Sequence, residues 1–100
     1  MAFIQIIDLR TTRYDEVAAL GAEWEAAAGD SSTARRRVLV QDRNDPGHYL
    51  NIVFFDSYES AMENSANPVT AEFAAKMATL LDGAPTYLDL EVLEDITIGS

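Results

Sequence analysis

An α+β fold of order βαββαβ, with a four-stranded antiparallel sheet and two helices on one face, is predicted by three features of the chain. Apolar residues alternate with period two in four segments, at 2–9, 33–43, 48–56 and 86–95. Two helical stretches, 13–28 and 57–81, separate the first strand from the second and the third from the fourth. The turn Asp45-Pro46-Gly47 joins the two middle strands with no room for a crossover. The chain has 100 residues, enough for one core, so a single domain over 1–100 is expected.

Each element has a local cause. In the first helix Val17, Leu20, Gly21, Trp24 and Ala28 form one apolar stripe, Thr12 is placed as N-cap, and Gly29-Asp30-Ser31-Ser32 ends the run. Val38 and Val40 share one face of the second strand, with Arg35, Arg37, Leu39 and Gln41 on the other. Leu50, Ile52 and Phe54 alternate with Tyr49, Asn51, Val53 and Phe55 in the third. Asp56-Ser57-Tyr58-Glu59 opens the second helical stretch as a cap. Asn67-Pro68 then divides it, because proline lacks a donor in a helix interior but suits the first turn of a new helix. Val69, Phe73, Met77, Leu80 and Leu81 supply the next apolar stripe, with Met62 and Met77 as core filling, and Asp82-Gly83 before Pro85 stops it. Ile96 to Ser100 are read as a strand extension or an arm onto a partner.

Composition excludes several classes. A net charge of −10 repels a phosphate backbone, so no nucleic-acid partner is expected. The charge is asymmetric: residues 1–50 carry −2 and residues 51–100 carry −8. With no cysteine and one histidine, thiolate chemistry and a histidine-rich metal site are excluded, and no metal is expected. No run spans a bilayer and the start MAFIQIIDLR lacks signal-peptide features, so a cytoplasmic protein without membrane contact is expected.

The two sheet faces differ in chemistry. Ile4, Ile6, Val38, Val40, Leu50, Ile52, Phe54, Leu88, Leu90 and Val92 make a purely aliphatic and aromatic face, assigned to the helices. Phe3, Gln5, Ile7, Arg37, Leu39, Gln41, Tyr49, Asn51, Val53, Phe55, Tyr87, Asp89, Glu91 and Leu93 make a mixed face. That mixed face is assigned to a homodimer interface enclosing a partly polar cavity. In strand order 4-1-3-2 the arginine-rich second strand and the acidic fourth are opposite edges, so Arg35 and Arg37 are expected to meet Asp89 and Glu91 across the dimer.

The stretches FIQIIDLR, HYLNIVFFDSYESAMENSANP and DGAPTYLDLEVLED resemble the dimeric α+β-barrel superfamily, close to antibiotic biosynthesis monooxygenase-like proteins. The resemblance covers residues 2–95 and implies a ferredoxin-like fold and a homodimer. Haem-degrading relatives use an axial histidine on the second helix. Here that helix has none and His48 flanks the hairpin turn as a solvated side chain, so neither haem nor another cofactor is expected. Cofactor-free oxygenases of the family hold electron-rich aromatic substrates with Asn, Trp and Tyr groups.

That resemblance implies a hydrophobic or aromatic small molecule as partner, with Asn51 and Tyr49 as catalytic candidates. The ligand-binding set is Tyr49, Asn51 and Tyr87, with Gln5, Arg37 and Phe55 beside them. Trp24 is assigned to the core, and Asn64 and Asn67 to the restarted helix. The alternative is a non-catalytic dimerisation or ligand-sensing module. A ligand-sized, mostly apolar cavity of at least about 300 Å³ between the two sheets favours binding, and collapsed side chains with Arg-carboxylate pairs at the centre favour the structural role.

Overall fold

The computed structural model describes residues 2–99. Strands β1 (Phe3–Arg10), β2 (Arg36–Gln41), β3 (His48–Phe55) and β4 (Thr86–Glu91) form one sheet in the order β2-β3-β1-β4, with antiparallel neighbours throughout. Helix α1 (Tyr14–Ala28) links β1 to β2 through a short 3₁₀ turn, and α2 (Tyr58–Ala66) and α3 (Pro68–Ala78) link β3 to β4. This is the ferredoxin-like α+β order that the alternation of the chain predicts.

The helix boundaries follow local chemistry. Thr11, not Thr12, prepares α1: its buried hydroxyl accepts from the Arg13 N–H and donates to the Leu80 carbonyl, tying the start of α1 to the turn that follows α3. Gly29 closes α1 with φ +49°, a conformation costly for a residue with a Cβ. Ser57 caps α2 by accepting from the Ser60 N–H, and Asn67 caps α3 by accepting from Val69 N–H at 2.9 Å with Pro68 in the first turn. The hairpin closes on Asp42, whose carboxylate accepts from the Asn44 N–H while its own N–H donates to His48 O. The last strand stops at Glu91, short of 95, and residues 92–99 have no regular structure, with Leu93, Ile96 and Ile98 exposed. Ser100 lies outside the described residues.

The register places side chains in rungs. On one face they read Arg37–Val53–Gln5–Asp89 and Leu39–Asn51–Ile7–Tyr87; on the other, the central rung is Val38–Ile52–Ile6–Leu88. The helices cover the first of these faces. Phe3, Leu9, Tyr49, Asn51, Val53 and Phe55 are buried, whereas Leu88 and Leu90 keep 44% and 40% of their surface in this single chain. The assignment made from the pattern is therefore reversed: the mixed face lies beneath the helices and the aliphatic face is open. Alternation tells which residues share a face, but not which face meets the helices. A helix layer that leaves a cavity can cover polar groups.

The core proper is small. Phe3, Val53, Phe55 and Ala61 pack together with Ala34 and Met62 against them, and Phe3 meets the Tyr58 ring edge-on at 5.5 Å. Burial of each large side chain contributes about 1.5–3 kcal/mol before chain entropy is counted. This cluster holds α2 on the sheet. Beyond it, towards α1 and α3, the helix layer lifts away from the strands.

Candidate functional site

Between α1, α3 and the two mixed rungs lies a cavity of about 340 Å³. Its apolar wall comes from α1 (Val17, Leu20, Trp24), α3 (Phe73, Met77) and the sheet (Ile7, Leu39, Val53). Four of the residues picked from the sequence line it: Gln5, Arg37, Asn51 and Tyr87. Tyr49 and Phe55 share their face but lie away from the cavity. Tyr49 stacks on Tyr14 with ring centroids 5.2 Å apart and its hydroxyl accepts from Gln41, while Phe55 belongs to the packed core.

Asn51 is the chemically exposed member of this set. It is 7% accessible, and its Oδ1 is the buried side-chain acceptor without a partner among the described residues. Leaving such a group unpaired costs about 1–3 kcal/mol, so a buried orphan calls for an explanation. Here it faces a cavity in which a ligand hydroxyl or N–H can pair with it.

Two wall residues escaped the sequence reading. Trp24, assigned to the core, donates its indole N–H to Thr70 Oγ1 at 3.0 Å and lines the cavity. Thr70 in turn donates to Asn64 Oδ1 at 3.4 Å, and Ser32 donates to the same atom at 2.9 Å. Asn64 is thus no helix cap; it is buried in the wall and fastens α2, α3 and the approach to β2 together. The periodicity of α1 marks Trp24 as inward-facing, but a partner 46 positions away leaves no trace in the local pattern.

Arg37 reaches the cavity beneath α1. Its Nε and Nη2 donate to Glu25 Oε1 at 3.1 and 2.6 Å. A Cβ on Gly21 would meet Nη2 at 3.1 Å and Nη1 at 3.3 Å, so the missing side chain on α1 is what lets the guanidinium pass. Arg35 binds Asp56 at 2.7 Å, and Asp89 accepts from Gln5 at 3.2 Å. Arg35 and Arg37, expected to meet Asp89 and Glu91 across a dimer, each have a carboxylate partner within the chain. Both arginines lie on the helix side of the sheet, where Glu25 and Asp56 are nearer.

His48 departs from its expected solvated role. It sits half-buried at the rim of the open face, Nε2 at 2.8 Å from Asp8 and Nδ1 at 3.1 Å from Asp42. The hydrogen bonds to Asp42 and then Asp8 hold its pKa above the usual histidine value. Asp42 is pulled below the carboxylate range, chiefly by the Asn44 N–H and next by His48. A raised folded-state pKa gives stability that is full below the unfolded value of about 6.5 and is lost as pH rises through the folded value. Thermal melts from pH 6 upward are expected to show wild type losing stability relative to His48→Gln. Parallel pH curves for the two proteins would remove His48 from the pH response.

No family model matches the chain, and no curated protein matches it. Solved structures do. SnoaB, a cofactor-independent oxygenase from Streptomyces nogalater, superposes with TM-score 0.81 at 12% identity, over 95% of this chain and 96% of that one. A candidate antibiotic biosynthesis monooxygenase from Chloroflexus aurantiacus gives 0.73 at 21% identity over 99% and 100%. One from Caulobacter crescentus gives 0.79 at 14% over 93% and 91%. The chain therefore has the ferredoxin-like fold of antibiotic biosynthesis monooxygenase-like proteins. No helix among the described residues is long and apolar enough to cross a membrane.

Proposed function

We propose that the cavity binds a hydrophobic or aromatic small molecule bearing a hydroxyl group, and that the protein acts on it in the manner of a cofactor-independent monooxygenase. The observation that carries this reading is the unpartnered Asn51 amide oxygen inside a largely apolar cavity of about 340 Å³. An apolar cavity of that size with one or two convergent polar groups is the usual form of a small-molecule site. Asn51 Oδ1 accepts from the hydroxyl and so orients the phenol, while Trp24 and Phe73 flank the ring. The similarity in fold to SnoaB, itself a cofactor-independent oxygenase, supports the reaction class.

The open aliphatic face is the natural seat of a second copy, giving a homodimer. Its central rung, Val38–Ile52–Ile6–Leu88, is uniformly apolar, and a two-fold contact between identical faces buries it on both sides at once. Each cavity then lies on the outer side of a sheet whose inner side is the interface. This reverses the arrangement expected from the sequence.

Trp24 is the only tryptophan, so its indole N–H gives one resonance at the cavity wall. Titration with 2-naphthol is expected to shift that resonance saturably, and hydroxylated polycyclic phenols that bind are expected to be oxidised with consumption of dioxygen. Binding without dioxygen uptake for every ligand would leave a ligand-sensing module. An unmoved indole resonance across hydroxylated aromatics would end the binding reading.

A further inference from the structure

Arg37 is the one strong positive charge in the cavity wall, and Glu25 satisfies only part of it. Both bonds to Glu25 end on the same oxygen and use Nε and Nη2, leaving Nη1 without a hydrogen-bond partner among the described residues. Glu25 is itself 55% exposed, whereas the Arg37 side chain is 24% exposed and lines the cavity. The nearest other carboxylate on its rung is Asp89, three strand spacings or about 14 Å away and engaged by Gln5. A guanidinium with one of its edges open is matched in geometry by a carboxylate.

The position of Arg37 relative to Asn51 adds a second constraint. Arg37 pairs with Val53 and Leu39 with Asn51, so Arg37 and Asn51 are diagonal neighbours on one face, roughly 7–8 Å apart at the backbone. The guanidinium rises to Gly21 on α1, while the Asn51 amide stays on the sheet. Cation and orphan acceptor thus stand on opposite walls of one cavity. A second hollow of about 210 Å³ adjoins it, sharing Trp24 and Arg37 and lined also by Glu25, Arg35 and Arg36.

Building on the reading of the cavity as a binding site, we propose that Arg37 selects ligands carrying a carboxylate at one end of an aromatic body whose other end bears a hydroxyl group. The carboxylate takes the open edge of Arg37 near α1, and the hydroxyl donates to Asn51 Oδ1. Glu25 is a positioning residue: it aims the guanidinium and keeps it from folding back into water. A hydroxyl adjacent to the carboxylate would bond internally and leave Asn51 unpaired, so the two groups belong at opposite ends.

Calorimetry with 6-hydroxy-2-naphthoate and 2-naphthol at neutral pH tests this on wild type, Arg37→Met and Glu25→Gln. Wild type is expected to bind the acid at least about tenfold more tightly than the naphthol. Arg37→Met is expected to lose that preference, binding the acid no more tightly than 2-naphthol. Glu25→Gln keeps an acceptor for the guanidinium but removes a negative charge, so it is expected to tighten the acid several-fold and leave 2-naphthol unchanged. If wild type binds both ligands equally, or Arg37→Met retains the preference, the selection of carboxylates is overturned and the cavity reading stands. If Arg37→Met does not fold, a Glu25→Gln protein with unchanged or weaker acid binding overturns it instead. Failure of both ligands on folded wild type overturns the cavity reading itself, and this proposal with it.

Discussion

Replacing Asn51 with leucine is expected to stabilise the protein and disable it. Leucine has nearly the shape of asparagine and no polar atoms, so the substitution removes a buried acceptor that has no partner among the described residues. Relief of an unpaired buried group is worth about 1–3 kcal/mol. For a chain of this size each kcal/mol raises the melting temperature by roughly 4–8 °C. The same change deprives a bound hydroxyl of its acceptor, and affinity for 2-naphthol is expected to fall about tenfold or more. Melting and calorimetry on one pair of proteins read both effects. A structural asparagine gives the opposite pattern, with lower stability and unaltered binding. Functional groups held unsatisfied at a cost in stability are a general mark of binding sites.

The second large effect concerns the open face. Ile52 stands in the middle of its central rung, between Val38 and Ile6, and is half-buried in the single chain. An aspartate there remains in water while the chain is alone and is buried without a counter-charge when two aliphatic faces meet. The uncompensated charge costs about 3–5 kcal/mol, or roughly two to four decades in the dimer dissociation constant. Sedimentation equilibrium is expected to find wild type dimeric and Ile52→Asp monomeric at the same micromolar concentration, with unchanged circular dichroism. A variant that associates as tightly as wild type would place the interface elsewhere.

How much of this was legible in the chain depends on the range of the interaction involved. The order of elements, the hairpin at Asp45-Pro46-Gly47 and the helix break at Asn67-Pro68 are written in neighbours a few positions apart, and the fold follows them. The division of side chains between two faces was equally legible, since the period of a strand is two. Which face the helices cover was not. Both faces are rich in apolar groups, and the more uniform one was assigned inward on the ground that cores are dry. The helices instead cover Gln5, Asn51 and Arg37, because α1 and α3 stand off the sheet around a cavity there.

The same limit explains the site residues. Gln5, Arg37, Asn51 and Tyr87 were grouped correctly as residues of one face, and their grouping survives the reversal of that face. Tyr49 and Phe55 belong to the same face but lie near its ends, where Tyr14 and the Phe3 cluster fill the space. Trp24 and Asn64 entered only through the hydrogen bonds that join them by way of Thr70. Gly21 carried a faint signal, as a helix-breaking residue on the apolar stripe of α1, for which the passage of Arg37 supplies the reason.

The two faces can be told apart in one spectrum. Ile7 lines the cavity, whereas Ile6 and Ile52 lie on the open face. In protein labelled at the isoleucine δ1 methyls, 2-naphthol is expected to shift the Ile7 signal by its ring current and to give ring-to-methyl contacts there, with the Ile6 and Ile52 signals nearly still. Shifts and contacts centred on Ile6 and Ile52 would instead put the ligand between sheets, and would contradict a binding site beneath the helices.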